Sequence, residues 1–323
     1  MSRYARQIVL SEVGEVGQSR ISGARVLVVG AGGLGGPVLQ YLVGAGVGKI
    51  TILDPDTVEE SNLHRQVIFG ESDIGRPKVS AAADVMANLN ASSDISAIQA
   101  RLDPSNVERH VKNSDLVLDC ADSFAASYTL SDACFAADTP LISASALGLT
   151  GYVGGFCGGA PSLRAVFPDL PSRTATCATA GILGPVVGMI GSVQAQMALG
   201  VLLEFSPRPL GQFVQLDTKT WRPSSFRFDT AQEPQHALRF ISKEDITPTD
   251  FVVDVRSSEE APTTVVPHAQ RLSVDAFGKS GLRPSENQRA VFCCKSGLRA
   301  WRAAQILSEN WSGEIVLLAH NPE

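Results

Sequence analysis

The sequence is short of charge, of aromatic residues and of paired cysteines. Charged residues make up 19% of its 323 positions and aromatic ones 6%, and the formal net charge is −6. No basic excess exists to hold a nucleic-acid backbone, so nucleic acid is not expected as a partner. The start, Met1-Ser2-Arg3-Tyr4-Ala5-Arg6-Gln7, leads into polar sequence without an apolar signal core, and no secretory signal is expected. The six cysteines (Cys120, Cys134, Cys157, Cys177, Cys293 and Cys294) include no C-x-x-C pair. Spacing therefore gives no zinc site, and a disulfide framework is not expected. A reducing, cytoplasmic setting follows. Charge is also missing from Ala175 to Leu203. That length could span a bilayer, but the stretch carries Gly181, Gly184, Pro185, Gly188, Gly191, Gln194 and Gln196. A buried helix at a core or subunit interface is the favoured reading, and no membrane partner is expected.

What is present is a nucleotide-binding pattern. Arg25-Val26-Leu27-Val28-Val29 is an apolar run suited to a buried parallel strand. It enters Gly30-Ala31-Gly32-Gly33-Leu34-Gly35, which satisfies G-x-G-x-x-G at Gly30, Gly32 and Gly35, with Gly33 in addition. A helix over about Leu34–Ala45 is predicted, with Leu34, Val38, Tyr41 and Leu42 on one face. A strand from Lys49 then ends at Asp54. In such a unit the turn lets backbone approach a phosphate, the helix start supplies N–H groups, and the acid can take ribose hydroxyls. The loop alone does not separate ATP from NAD or FAD.

Further alternation follows. A helix is predicted over Lys78–Leu89, a strand over Ile95–Ala100 and another over Asp115–Cys120. A helix through Tyr128–Ala137 and a strand at Leu141–Ser143 come next, with later strands near Gly151–Cys157 and Gly211–Asp217. This argues a doubly wound α/β sheet. The polar stretch 229–237 reads as a linker. The expected division is therefore 1–228, a linker at 229–237, and a small α/β unit at 238–323. Strands in that unit are predicted at Phe251–Val255, Ala290–Cys293 and Ile315–Leu318, with a helix bearing Ala300, Ala303, Ala304 and Leu307 on one face.

Several ordered segments resemble the ThiF/MoeB/HesA family, bacterial relatives of ubiquitin-activating enzymes. They are Arg3-Tyr4-x-Arg6-Gln7-Ile8, Gly30–Gly35, Asp54-x-Asp56, Ser61-Asn62-Leu63-x-Arg65-Gln66, Gly75-x-Pro77-Lys78, Asp119-Cys120-Ala121-Asp122 and Thr176-Cys177-x-Thr179-Ala180-Gly181. The resemblance implies a Rossmann-like sheet of the ubiquitin-activating type. It implies adenylation, with ATP and Mg²⁺, of the C-terminal carboxylate of a small ubiquitin-like sulfur carrier protein ending in Gly-Gly. Asp54 would bind ribose, with Asp56 and Gln66 also lining the nucleotide site. Asn62, Arg65 and Lys78 would meet the phosphates, Asp122 would hold Mg²⁺, and Arg6 would reach a neighbouring subunit's site in a homodimer. The cations suit the chemistry, since a carboxylate attacking a phosphate must overcome anionic repulsion.

The chain departs from the family in two places. Ala121-Asp122-Ser123 stands where members often carry Thr-Asp-Asn. Two C-x-x-C zinc pairs are absent, one of which would fall near Ser162–Ala165, so no zinc is expected. Cys177 resembles a cysteine that the ThiF branch can link to the carrier, with a buried packing cysteine as the alternative, and its surroundings look closer to ThiF than to MoeB.

The last segment resembles a rhodanese domain through Asp254-Val255-Arg256-x-x-Glu259-Glu260, Val266-Pro267-His268-Ala269 and Cys294-Lys295-Ser296-Gly297-Leu298-Arg299. That implies Cys294 as a persulfide carrier fed by a donor such as a cysteine desulfurase, or a degenerate docking domain. Converging N–H groups would stabilise the sulfur, and Cys293 is expected to be buried. The implied product is a thiocarboxylate. Thiamine, molybdopterin and other thiolation pathways stay open, with a lean to thiamine. An NAD-dependent oxidoreductase and a non-catalytic carrier-binding scaffold are the rival readings.

Overall fold

The structure is a computed structural model that describes residues 3–170 and 181–321. The first sheet has eight strands: β1 (Arg25–Val29), β2 (Lys49–Leu53), β3 (Asp94–Ile98), β4 (Leu116–Asp119), β5 (Leu141–Leu147), β6 (Thr150–Phe156), β7 (Gln212–Asp217) and β8 (Arg222–Arg227). Their order is β3-β2-β1-β4-β5-β6-β7-β8. The five strands from β3 to β5 are parallel, and β6, β7 and β8 extend the sheet antiparallel. The chain direction switches between β1 and β4. In such sheets ligands bind outside the strand C-termini at that switch.

Helices cover both faces. Gly35–Ala45, Lys78–Leu89 and Gly184–Leu202 share one core with Val26, Val28, Ile50 and Ile52. Val107–Lys112 and Phe124–Ala136 lie on the other face with Leu27, Val29 and Val117. Alternate residues of β1 thus feed opposite cores, as the pleat requires. Each fully buried Leu or Val contributes about 1.5–3 kcal/mol.

Some expected boundaries move. The helix predicted from Tyr128 begins at Phe124, and the strand predicted at Leu141–Ser143 runs to Leu147. Tyr41 is 57% exposed while Leu34, Val38 and Leu42 are buried. The buried sector of that helix centres on Val38, Leu39, Leu42 and Val43, and Tyr41 falls outside it. The uncharged helix Gly184–Leu202 is long and apolar enough to cross a membrane. Here it packs on β5, β6 and the helix Gly35–Ala45.

The second sheet is wholly parallel, in the order β11-β10-β12-β13-β9. Its strands are β9 (Arg239–Phe240), β10 (Phe251–Asp254), β11 (Gln270–Arg271), β12 (Ala290–Cys294) and β13 (Ile315–Ala319). The chain passes from one sheet to the other within 229–237, and that stretch is tied down. Glu233 accepts hydrogen bonds from the Ser162 N–H at 2.7 Å and from its hydroxyl at 2.5 Å. Arg164 donates to the Leu238 carbonyl at 3.0 Å. The two sheets also share one apolar cluster, in which the Tyr128 and Trp301 rings meet at 5.7 Å.

Candidate functional site

The glycine loop leaves β1 with Gly30 at φ +98° and its N–H on the Leu53 carbonyl at 2.8 Å. A Cβ at Gly30 would stand 2.6 Å from the Cys120 carbonyl oxygen, and one at Gly35 would stand 2.0 Å from that of Gly30. Side chains are excluded by backbone at both positions, so the turn demands glycine. At the start of the helix, Gly36 gives its N–H to the Gly32 carbonyl at 2.9 Å and Pro37 has none, so a phosphate here must be met by the N–H groups of the loop ahead of them rather than by the whole first turn.

Asp54 follows β2 and is buried. Its carboxylate accepts the Ala31 N–H at 2.7 Å and the Asp56 N–H at 2.8 Å. Burial raises its pKa, and those two N–H groups with Lys78 oppose the rise. Each oxygen keeps a further lone pair for a hydroxyl donor. Lys78 opens the helix Lys78–Leu89, its N–H on the Asp56 carbonyl at 2.9 Å. A Thr57–Pro77 bridge closes this excursion. The Lys78 ammonium is 3.1 Å from Asp56, with side-chain exposures of 8% and 61%. A desolvated cation thus rests on one solvent-facing carboxylate.

The segment Glu60–Asn62 is a short 3₁₀ turn, and buried Asn62 accepts the Glu59 N–H at 3.2 Å. Asn62 is therefore a fold-holding residue as well as a phosphate candidate. Arg65 donates to the Ser61 carbonyl at 2.9 Å and lies 2.9 Å from the His64 ring nitrogen. Its own carbonyl would be 3.3 Å from a Cβ on Gly33. Gln66 is buried, and its amide nitrogen would be 3.4 Å from a Cβ on Gly32. The Gln66 Oε1 is buried and has no hydrogen-bond partner among the described residues. An acceptor left open beside the loop suits a ligand donor. This acceptor and the glycine cradle fit a nucleotide.

Asp122 is exposed and follows Cys120, whose carbonyl abuts Gly30. A carboxylate at that edge has the hard oxygen donor that Mg²⁺ requires. The sequence reading gave no role to two neighbours. Asp119 is fully buried at the end of β4; it accepts the Ser143 hydroxyl at 2.8 Å and the Ala121 N–H at 3.2 Å. Burial pushes its pKa up to about 6 against hydrogen bonds from Ser127 and Ser143. Gln194, fully buried, donates to the Asp119 carbonyl at 2.8 Å and the Ile142 carbonyl at 3.0 Å. It also accepts from the Cys120 thiol at 3.4 Å. The signal for Gln194 was a polar residue in a helix otherwise without charge.

Two predicted residues, Arg6 and Cys294, lie apart from this cluster. Gln7, beside Arg6, bonds the Ala45 carbonyl at 2.9 Å. That is the far end of the 11-residue helix that begins at the loop, roughly 16 Å away. Arg6 is exposed there. Cys177 lies outside the described residues. Cys294 ends β12, where its sulfur receives the Gly297 N–H at 3.1 Å and the Ala300 N–H at 3.4 Å. It is as fully buried as Cys293, and the two face different cores. Arg299 is paired with Glu260 at 2.7 Å, while Lys295 is exposed. A Cβ on Gly297 would be 2.6 Å from Phe240 and 3.6 Å from Ala125. The sulfur loop is thus packed on the helix that follows Asp122.

Among known proteins, the chain is similar to the SAMP-activating enzyme E1 of Haloferax volcanii, at 40% identity over 63% of this chain and 76% of that one. It is 34% identical to the adenylyltransferase and sulfurtransferase MOCS3 of Bos taurus, over 96% of this chain and 81% of that one. Among solved structures, E. coli MccB with ATP superposes with a TM-score of 0.63 at 20% identity, covering 73% of each chain. At that identity the likeness carries the fold alone. The ThiF family model matches residues 4–238, and the chain belongs to the ThiF family.

Proposed function

We propose that this protein is an adenylyltransferase that activates the C-terminal carboxylate of a small ubiquitin-like sulfur carrier protein with ATP. The observation that carries the reading is the meeting of Lys78, Asp54 and the Arg65–Gln66 segment around one glycine cradle. The Lys78 ammonium held beside Asp56 and near Asp54 answers the larger anionic charge of a triphosphate better than that of a dinucleotide's diphosphate. Backbone N–H groups hold the phosphates, and Asp54 takes the ribose. Lys78 and Arg65 offset charge as the carboxylate oxygen attacks the α-phosphorus and pyrophosphate leaves. Asp122 would hold Mg²⁺, which supplies further charge neutralisation at the phosphates. Arg6, remote from its own loop, serves the site of a second subunit in a homodimer. The relatives' names, SAMP-activating enzyme and adenylyltransferase with sulfurtransferase, support the same reading.

Cys294 then carries sulfur as a persulfide, steadied by the Gly297 and Ala300 N–H groups. Its terminal sulfur attacks the acyl-adenylate and AMP leaves, forming an acyl disulfide with Cys294. A second thiol, from a small-molecule or protein thiol reductant, then attacks the Cys294 sulfur, forming a disulfide with it and releasing the carrier thiocarboxylate. The buried thiol requires its loop to open before a donor can load it.

Carrier-dependent exchange of pyrophosphate into ATP tests the adenylation step. Lys78→Met is expected to keep the fold and lower exchange by about 10²-fold or more. Carrier binding without any exchange in the wild type would leave a scaffold instead, and exchange unchanged in Lys78→Met would remove that lysine from the chemistry.

A further inference from the structure

Arg271 stands on the short edge strand β11, in register with Asp254, which in turn pairs with Cys293. These residues share one face of the second sheet, opposite Cys294. Its Nε and Nη2 are buried, and neither has a hydrogen-bond partner among the described residues. The carboxylate in register is already taken. Asp254 accepts from Arg256 at 2.9 and 2.6 Å and from the Val265 N–H at 3.0 Å. Arg271 itself lines a surface cavity of about 570 Å³ whose other walls are residues 262–267. That wall contains two prolines, two valines, Thr263 and Thr264, and no carboxylate.

A guanidinium cannot shed its charge, and buried N–H donors without acceptors are costly. Both atoms are covered by protein; turned into the cavity that Arg271 lines, they would meet an anion with two oxygens in the fork geometry that arginine favours. We propose that Arg271 and the 262–267 wall form a binding site for a small oxyanion. The shared chemistry is a pair of anionic oxygens. It could come from a tetrahedral sulfur or phosphorus oxyanion or from a carboxylate at the end of a peptide. β11 and β12 are separated by one strand, so the site lies about 10 Å from Cys293 along the sheet. The proposal rests on Arg271's own geometry and not on sulfur transfer.

The test uses the full chain, saturated with ATP so that the glycine loop does not take the probe. Sulfate, thiosulfate and glycylglycine are titrated in turn, with chloride matching ionic strength, and thermal unfolding is followed. At least one probe is expected to stabilise the wild type saturably, and Arg271→Met is expected to weaken that binding by about tenfold or more. A response to sulfate or thiosulfate identifies the tetrahedral class, and a response to glycylglycine alone the carboxylate class. In chloride alone, Arg271→Met should melt at or above the wild-type temperature, because it deletes unpaired donors. No saturable stabilisation by any probe, equal binding by the variant, or a variant that melts well below wild type in chloride would each overturn the proposal. The comparison of wild type with variant reads the same whether or not ATP binds.

Discussion

The buried carboxyl of Asp119 makes stability depend on pH in a defined direction. Its ordinary value is 3.8, and burial lifts it to about 6 in the folded chain. Below 3.8 the group is protonated in both states. Between 3.8 and about 6 the unfolded chain releases the proton while the folded chain keeps it, so stability falls as pH rises through this window. Above it the loss is constant. At about 1.4 kcal/mol per pH unit, the gap amounts to about 3 kcal/mol. Asp119→Asn keeps one oxygen for the Ala121 N–H and sets its amide N–H against the Ser143 hydroxyl oxygen, reversing that hydrogen bond, but cannot ionise. Its stability relative to wild type should therefore climb by about 3 kcal/mol between about pH 4 and pH 7. Urea unfolding of both proteins across that range measures the difference. Parallel stability curves would refute the argument, since the carboxyl would then ionise in the fold as easily as in water.

Two further substitutions probe the sulfur and the subunit readings. Cys294→Ser should leave carrier-dependent pyrophosphate exchange intact and abolish persulfide-dependent thiocarboxylate on the carrier, read by mass spectrometry; full yield would take Cys294 out of the pathway. Arg6→Ala and Lys78→Met chains, each inactive alone, should recover about a quarter of wild-type exchange when subunits are mixed equally, since half the dimers hold one complete site. Failure to complement would place Arg6 in its own subunit's function or in none.

The phosphate loop was legible because its demands are local. A strand, a turn with no room for Cβ atoms, a helix and an acid all lie within one stretch from Arg25 to Asp54. The switch between β1 and β4 was legible in kind from strand–helix alternation. What the sequence withheld were contacts between distant segments. Nothing near Cys294 announces that its thiol is buried, or that Gly297 of its loop packs against Phe240 and Ala125. Asp119 reads as the polar end of an apolar strand, and its burial depends on Ser143 one strand away. The strand β8 is exposed throughout, so no core-facing alternation marks it. Tyr41 looked like a core residue because it is large and apolar, yet the helix turns it outward.

One helix does most to hold the site together. At its start, a Cβ on Gly184 would meet the His64 carbonyl at 2.5 Å, so the helix begins against the segment that bears Arg65. Val187 lies against Gly33, and Gln194 ties the ends of β4 and β5 beneath Asp122. Between them, a Cβ on Gly191 would come 2.5 Å from Pro37 and 2.7 Å from the Leu34 carbonyl. The helix Gly35–Ala45 therefore approaches as closely as glycine permits. Gly188, one turn earlier, has nothing among the described residues within 4 Å of a built Cβ. The two glycines should respond oppositely to alanine. Gly188→Ala should stabilise by up to about 1 kcal/mol through helix propensity alone. Gly191→Ala gains the same propensity but must push two helices apart, at a cost of about 1–3 kcal/mol, and should loosen ATP without touching it. Denaturation and ATP titration of the pair decide the matter: a stabilised Gly191→Ala with unchanged ATP affinity would mean that this close approach does not position the phosphate loop.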